Sequence, residues 1–155
     1  MSAARRTAIV TGASQGIGAG IVKAFVERGY NVVANSRKVT LSSEVTASDS
    51  VALVDGDIGK PATAARVVET ALSRFESIDV LSNNAGIYFE RPFTDYTADD
   101  FKSLVSTNLE GFLYITPTLH QRDAGAEDWR KHRHDHGSSC AQPNARRQRG
   151  RTDAH

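Results

Sequence analysis

Thr11-Gly12-Ala13-Ser14-Gln15-Gly16-Ile17-Gly18 have the types and spacing to hold a phosphate group. A pyrophosphate needs free backbone N–H donors and a chain path that comes close to it. Gly12 permits a tight turn, Gly16 lets the backbone approach the anion, and Gly18 lets a helix pack closely on the strand before it. A helix opening at this point would add its unpaired N–H groups and the positive end of its dipole. The spacing differs from G-x-G-x-x-G, and a glycine-rich turn that holds no ligand is the alternative. The elements on either side decide between the two.

Those elements alternate in period. Thr7-Ala8-Ile9-Val10 is a short apolar run that reads as a buried strand. From Gly16 the period becomes helical, with Ile17, Ile21, Ala24 and Phe25 on one face and Gly29 as the stop. Asn31–Ala34 and Val51–Val54 are two more strands. Between them, Lys38 to Ser50 is rich in Ser and Thr and reads as a surface connection with at most a short helix. Pro61 suits a first helical turn, followed by an apolar stripe of Ala64, Val68, Ala71, Leu72 and Phe75. Ile78–Leu81 is a fourth strand, ending at Asn83-Asn84-Ala85-Gly86. Thr97 caps a further helix, with Asp100 at the capping-box position, and Phe101, Leu104, Val105, Leu109 and Phe112 form its stripe. Strands alternating with helices predict an α/β fold, a doubly wound parallel sheet of strand order 3-2-1-4 with ligands at the carboxyl ends of the strands.

T-G-A-S-Q-G-I-G followed at this separation by N-N-A-G resembles the NAD(P)-dependent short-chain dehydrogenase/reductase family, over about residues 5–118. The resemblance implies a Rossmann-like fold and hydride transfer between a nicotinamide dinucleotide and a small carbonyl or alcohol. It implies that Gly12, Gly16, Ile17 and Gly18 hold the pyrophosphate and that Ser14 reaches the adenosine ribose. Asp57 would hold the adenine amino group, with Ile58 beside the ring. Asn83, Ala85 and Gly86 would line a ribose of the cofactor. Asn108, in Ser106-Thr107-Asn108-Leu109, matches the asparagine of the family's catalytic tetrad. For Asp57 and Asn83 the competing explanation is turn chemistry at strand ends. For Asn108 it is a solvent-facing helix position.

Cofactor choice turns on the end of the second strand. A carboxylate there would bond the ribose 2′-OH of NAD, whereas an Arg would accept the 2′-phosphate of NADP. The chain reads Asn35-Ser36-Arg37, so NADP is expected, NAD remains open, and Arg37 is the expected cation.

The family also uses a Tyr with a Lys four residues on, after a fifth strand carrying a Ser. Tyr occurs here at 30, 88, 96 and 114, in no case with Lys four residues on, and Lys131 is the only Lys after Lys102. The expected architecture therefore stops after the fourth strand and its following helices, and catalytic incompleteness is expected. Residues 1–119 form the NAD(P)-binding half-domain, with 11 Lys and Arg against 13 Asp and Glu. Residues 120–155 form a basic tail with 8 against 5, all five His, and no Val, Ile, Leu, Met, Phe or Tyr. Such a segment has almost nothing to bury and is expected to be disordered. It also reads as an out-of-frame translation beginning near Thr118 to Gln121. With one base skipped, the codons open to Asp128 through His136 allow Thr-Gly-Gly-Asn-Ile-Val-Thr-Ile, which looks like the family's entry into its fifth strand.

The remaining composition excludes more than it suggests. A net charge of +1 calls for no particular partner, and one Cys rules out an internal disulfide framework or a cysteine-rich zinc site. His132, His134 and His136 alternate, but their segment offers nothing to orient them on a metal. The arginines from Arg146 to Arg151 have no interleaved aromatic residue for nucleic acid. No apolar run nears the ~20 residues of a membrane span, and the run after Arg5 and Arg6 is too short for a signal peptide. The expectations are a cytoplasmic location and no metal, nucleic acid or membrane partner. The expected partners are the dinucleotide, a small-molecule substrate if the chain is intact, and a second copy in a homo-oligomer.

Overall fold

The computed structural model describes residues 5–116. Four strands, β1 (Thr7–Thr11), β2 (Asn31–Ser36), β3 (Val51–Asp55) and β4 (Val80–Ser82), form one sheet of order β3-β2-β1-β4. Every pairing is parallel, with Ile9 opposite both Val33 and Leu81 and with Val33 opposite Ala52. Two helices, α1 (Gly16–Glu27) and α2 (Pro61–Phe75), serve as the first and third of the three connections. The expected doubly wound order is the observed one.

The period-two alternation of the strands explains why both faces are covered. Ile9, Val33, Ala52 and Val54 point to one side, where they pack with Ala64, Val67, Val68 and Ala71 of α2. Val10, Val32 and Ala34 point to the other, against Ala19 and Val22 of α1. With a helix on each side, all five residues of β1 are buried. Each fully buried Val or Ile contributes about 1.5–3 kcal/mol relative to exposure, so the central strands anchor the fold.

Local chemistry sets the helix ends. Pro61 occupies the first turn of α2, where its missing N–H costs nothing. Gly29, at φ +79°, follows α1 and donates its N–H to the Val26 carbonyl, 2.9 Å away. Thr97 and Asp100 form the expected reciprocal cap of α3 (Ala98–Val105). This helix passes into a π-helical turn, Ser106–Glu110, and continues as helix over 111–116.

Several sequence expectations are corrected in detail. The buried residues of α1 are Gly18, Ala19 and Val22, with the expected Ile21 and Phe25 packed at their margin, while Ile17 is 79% exposed. Close packing at Gly18 turns the helix so that Ile17 projects away from the sheet. In α2, Val67 joins the buried face, and Leu72 and Phe75 lie at its margin. Strand β4 starts at Val80, two residues later than expected. The preceding Asp79 instead brackets the start of β1: its carboxylate accepts the Thr7 N–H at 2.7 Å and its own N–H donates to the Thr7 carbonyl at 2.8 Å. The stripe expected from Phe101 to Phe112 is not buried. Beyond the π turn it is Gly111 and Ile115 that face the core. The connection from Lys38 to Ser50 has only a 3₁₀ turn, Val39–Leu41, yet it buries Val39 and Val45 beside α1. The tail over 120–155, with its expected disorder and its boundary, lies outside the described residues.

Candidate functional site

The strand order reverses direction between β1 and β4, and the residues singled out in the sequence gather at the carboxyl ends on either side of that point. Two backbone turns meet there at close range. Gly12 has φ +65°, and a Cβ on it would lie 2.7 Å from Ala85 Cα. A Cβ on Gly18 would lie 2.1 Å from the Gly12 carbonyl oxygen, so no side chain fits between α1 and the turn. Gly16 differs: it has φ +56° and nothing within 4 Å of its Cβ position. The turn is packed shut at Gly12 and Gly18 and open at Gly16.

Asn84 locks the two turns together. Its Nδ2 donates to the carbonyls of Thr11 (3.2 Å) and Gly12 (3.1 Å). In return the buried Thr11 hydroxyl accepts the N–H groups of Asn84 (3.1 Å) and Ala85 (3.0 Å). Asn84 sits inside the motif read from the sequence, where no role was assigned to it. Its signal was the need of a glycine turn's carbonyls for donors once the chain around them is buried.

An open cleft of about 570 Å³ runs along these ends. Gly12, Ser14, Arg37, Asp57, Ile58, Ala85 and Gly86 line it. A smaller cavity of about 170 Å³ adjoins it, sharing Ile58, Ala85 and Thr107, and takes in Asn83 and Asn108. Gly16, Ile17 and Gly18 line neither, Gly18 because it is packed against Gly12 and Ile17 because it projects outward. Gln15, Lys38, Ile87 and Thr107 line the cleft and were not singled out in the sequence. Lys38 was legible as the second of two consecutive cations at a strand end.

Two cations, Arg37 and Lys38, line the cleft together with the acid Asp57. Asn35, where a carboxylate could stand, is buried and turned toward β3, donating from Nδ2 to the carbonyls of Val54 (2.9 Å) and Gly56 (3.2 Å). Asp55 accepts the hydroxyl (2.5 Å) and the N–H (2.9 Å) of Thr40, which hold its carboxyl below the usual carboxylate range. Arg37 and Lys38 thus line the cleft with no carboxylate from β2 beside them.

Asp57 does turn chemistry as well as lining the cleft: Oδ1 accepts the Gly59 N–H at 2.9 Å on the way into α2. Ile58 is mostly buried and presents only an edge to the cleft. A Cβ on Gly111 would lie 2.8 Å from Ile58 Cγ2, so the helix beyond α3 rests directly on this residue.

Asn108 lies in the π turn and is exposed. Its side-chain amide pairs with the backbone of Ile87 as a neighbouring strand would, accepting its N–H at 2.8 Å and donating to its carbonyl at 3.0 Å. That pairing ties the segment after β4 to the helix. No described helix is long and apolar enough to cross a membrane, and no cluster of three or more His, Cys, Asp or Glu among the described residues could hold a metal.

The short chain dehydrogenase family model matches residues 6–125. Versicolorin reductase 1 of Aspergillus parasiticus is 31% identical over 129 residues, which cover 77% of this chain and 49% of that protein. An uncharacterized oxidoreductase of Staphylococcus aureus is 32% identical over 127 residues, covering 77% and 55%. The crystal structure of 3-ketoacyl-(acyl-carrier-protein) reductase from Brucella melitensis complexed with NADH superposes with a TM-score of 0.68 at 29% identity, covering 77% of this chain and 52% of that one. The chain spans about half the length of the relatives it matches. The family match, over the residues that build the sheet, the glycine turn and the cleft, shows that this chain belongs to the short-chain dehydrogenase family.

Proposed function

We propose that this chain binds a nicotinamide dinucleotide, NADP(H) in preference to NAD(H), as the cofactor-binding portion of an oxidoreductase acting on a carbonyl or alcohol. The observation that carries the preference is that Arg37 and Lys38 line the cleft just after β2, where Asn35 stands in place of a carboxylate and is bonded to β3. The residues fit the group. Nothing lies within 4 Å of the Gly16 Cβ position, α1 begins there without a side-chain cap from Gln15, and the cleft is lined by Ser14 and the two cations.

When bound, the cofactor supplies a hydride acceptor or donor. The chain's own residues would bind and orient it. Gly12 and Gly16 bring backbone to the pyrophosphate, Ser14 reaches the adenosine ribose, and Arg37 takes the 2′-phosphate. Asp57 and Ile58 border the adenine, and Asn83, Ala85 and Gly86 the other ribose. Asn108, the one residue here matching the family's catalytic set, holds Ile87 in place beside Gly86. None of the four Tyr has a Lys four residues on, so these 155 residues hold no matching proton donor or acceptor. The cofactor-binding reading therefore stands apart from turnover, and a non-catalytic NADP(H)-binding role is the second reading that this sequence fact favours.

The test is a fluorescence titration with NADPH on the wild-type chain and Gly16→Val. The new side chain would stand in the open space at the head of α1, in a backbone conformation that a β-branched residue resists. Binding by the wild type and none by the variant is expected, provided that far-UV circular dichroism shows both folded. Equal affinity would remove the glycine turn from the site.

A further inference from the structure

The head of α1 already has an anion on it, and that anion comes from the chain itself. The carboxylate of Glu44, in the connection between β2 and β3, accepts the Gly16 N–H at 3.2 Å. Two anchors hold it there. The Ser42 hydroxyl donates to the Ser14 carbonyl at 2.6 Å and accepts the N–H groups of Glu44 (3.0 Å) and Val45 (3.1 Å). Val45 is buried in the core beside α1. Glu44 lies between these anchors, strapped across the glycine turn.

The helix gives this carboxylate a reason to stay. The first turn of α1 contains no acidic residue, and Gln15 makes no side-chain cap. An unsatisfied N–H and the positive end of the helix dipole therefore face whatever anion is nearest. Asp55 is held by Thr40 and Asp57 by Gly59, so neither is offered to the helix. Glu44 is exposed, and among the described residues no ion pair ties it elsewhere.

Resting on the cofactor reading above, we propose that Glu44 is an internal competitor for the pyrophosphate seat. Carboxylate and pyrophosphate are both anions and both require the Gly16 N–H. The carboxylate has to leave before the pyrophosphate can take that amide. The free chain is self-capped, and cofactor affinity is lowered by the stability of that cap.

The experiment compares the full wild-type chain with Glu44→Gln and with Asp49→Asn, which removes the same charge from another exposed position of the same connection. Glu44→Gln is expected to bind NADPH about two- to fivefold more tightly than wild type, the range set by an exposed charge at a helix end. Asp49→Asn should change affinity by less. In the cofactor-free proteins, the Gly16 amide proton resonance should move upfield in Glu44→Gln, on loss of its carboxylate acceptor, and stay in place in Asp49→Asn. NADPH binding of equal strength in wild type and Glu44→Gln overturns the competition and leaves the cofactor reading standing. An unmoved Gly16 amide overturns it as well. If no variant binds NADPH while the Gly16 amide moves, the cofactor reading falls and the competition falls with it.

Discussion

Asn35 and Arg37 sit two positions apart and divide the work at the end of β2. Both border the cleft, but the amide of Asn35 is bonded to β3 and to Gly56 just after it, whereas Arg37 has no such bond to β3. Replacing Arg37 with Ala should weaken NADP(H) binding more than NAD(H) binding. Loss of a charge-assisted contact is worth about 1.5–3 kcal/mol, so the ratio of the two affinities should change by more than tenfold. Parallel fluorescence titrations with the two reduced cofactors read that ratio directly, and an unchanged ratio would take Arg37 out of the site. Residue types near the glycine turn were legible from the sequence because few residues satisfy a tight turn, a close backbone approach and a packed helix at once. Glu44 and Asn84 were not legible in that way. Their roles depend on which backbone groups lie nearby after folding, and Glu44 reaches a partner 28 positions away.

Among the elements, α3 is the most sensitive to its cap, because it buries no residue of its own. Asp100 accepts the N–H of Thr97 at 3.0 Å and its hydroxyl at 2.7 Å, with Arg91 at 2.8 Å. These bonds, the Thr97 N–H foremost, hold the Asp100 carboxyl below its ordinary value of 3.8. A carboxyl lowered in the folded state stabilises fully above the unfolded value, and that stabilisation is lost as the pH falls through the folded value. The cap should therefore be intact at neutral pH and fail only in acid. Thr97→Ala should weaken the helix by about 1 kcal/mol at neutral pH. It should also return the Asp100 carboxyl part of the way toward its ordinary titration, read by carboxyl carbon NMR, because the residue-97 N–H stays and only the hydroxyl is lost. An unmoved titration would mean that the Thr97 hydroxyl has no part in lowering it. The cap was legible because its two partners are three residues apart. The helix's core face was not. The π turn over Ser106–Glu110 rotates the helical residues beyond it, so that Gly111 and Ile115 reach Ile58 and the core where the simple period points to Leu109 and Phe112.

At the scale of the whole molecule, strand order was readable because helices follow the first and third strands, and parallel pairs joined by right-handed crossovers leave few arrangements open. Strand ends were less so, since Asp79 and Asn35 are polar residues that bond backbone groups which only the fold brings beside them. If the cleft holds NADP(H), the cofactor should stabilise the folded chain by mass action. At 100 times its dissociation constant, NADPH should raise the unfolding free energy by about 2.7 kcal/mol, seen as a shifted denaturation midpoint. The same protein should show no NADPH oxidation against a panel of carbonyl compounds. Turnover that is lost on Asn108→Ala would show that these 155 residues hold a complete proton path after all.

The near-contact of Gly12 with Ala85 has a consequence for recombination among relatives. The two turns are 73 positions apart in sequence, yet the Asn84 amide and the Thr11 hydroxyl knit them at a distance that leaves no room for a Cβ. They behave as one inherited cassette. A chimera whose crossover falls between β1 and β4 would pair a turn from one parent with a lock from the other, so a shuffled library should be enriched in survivors that take both from the same parent.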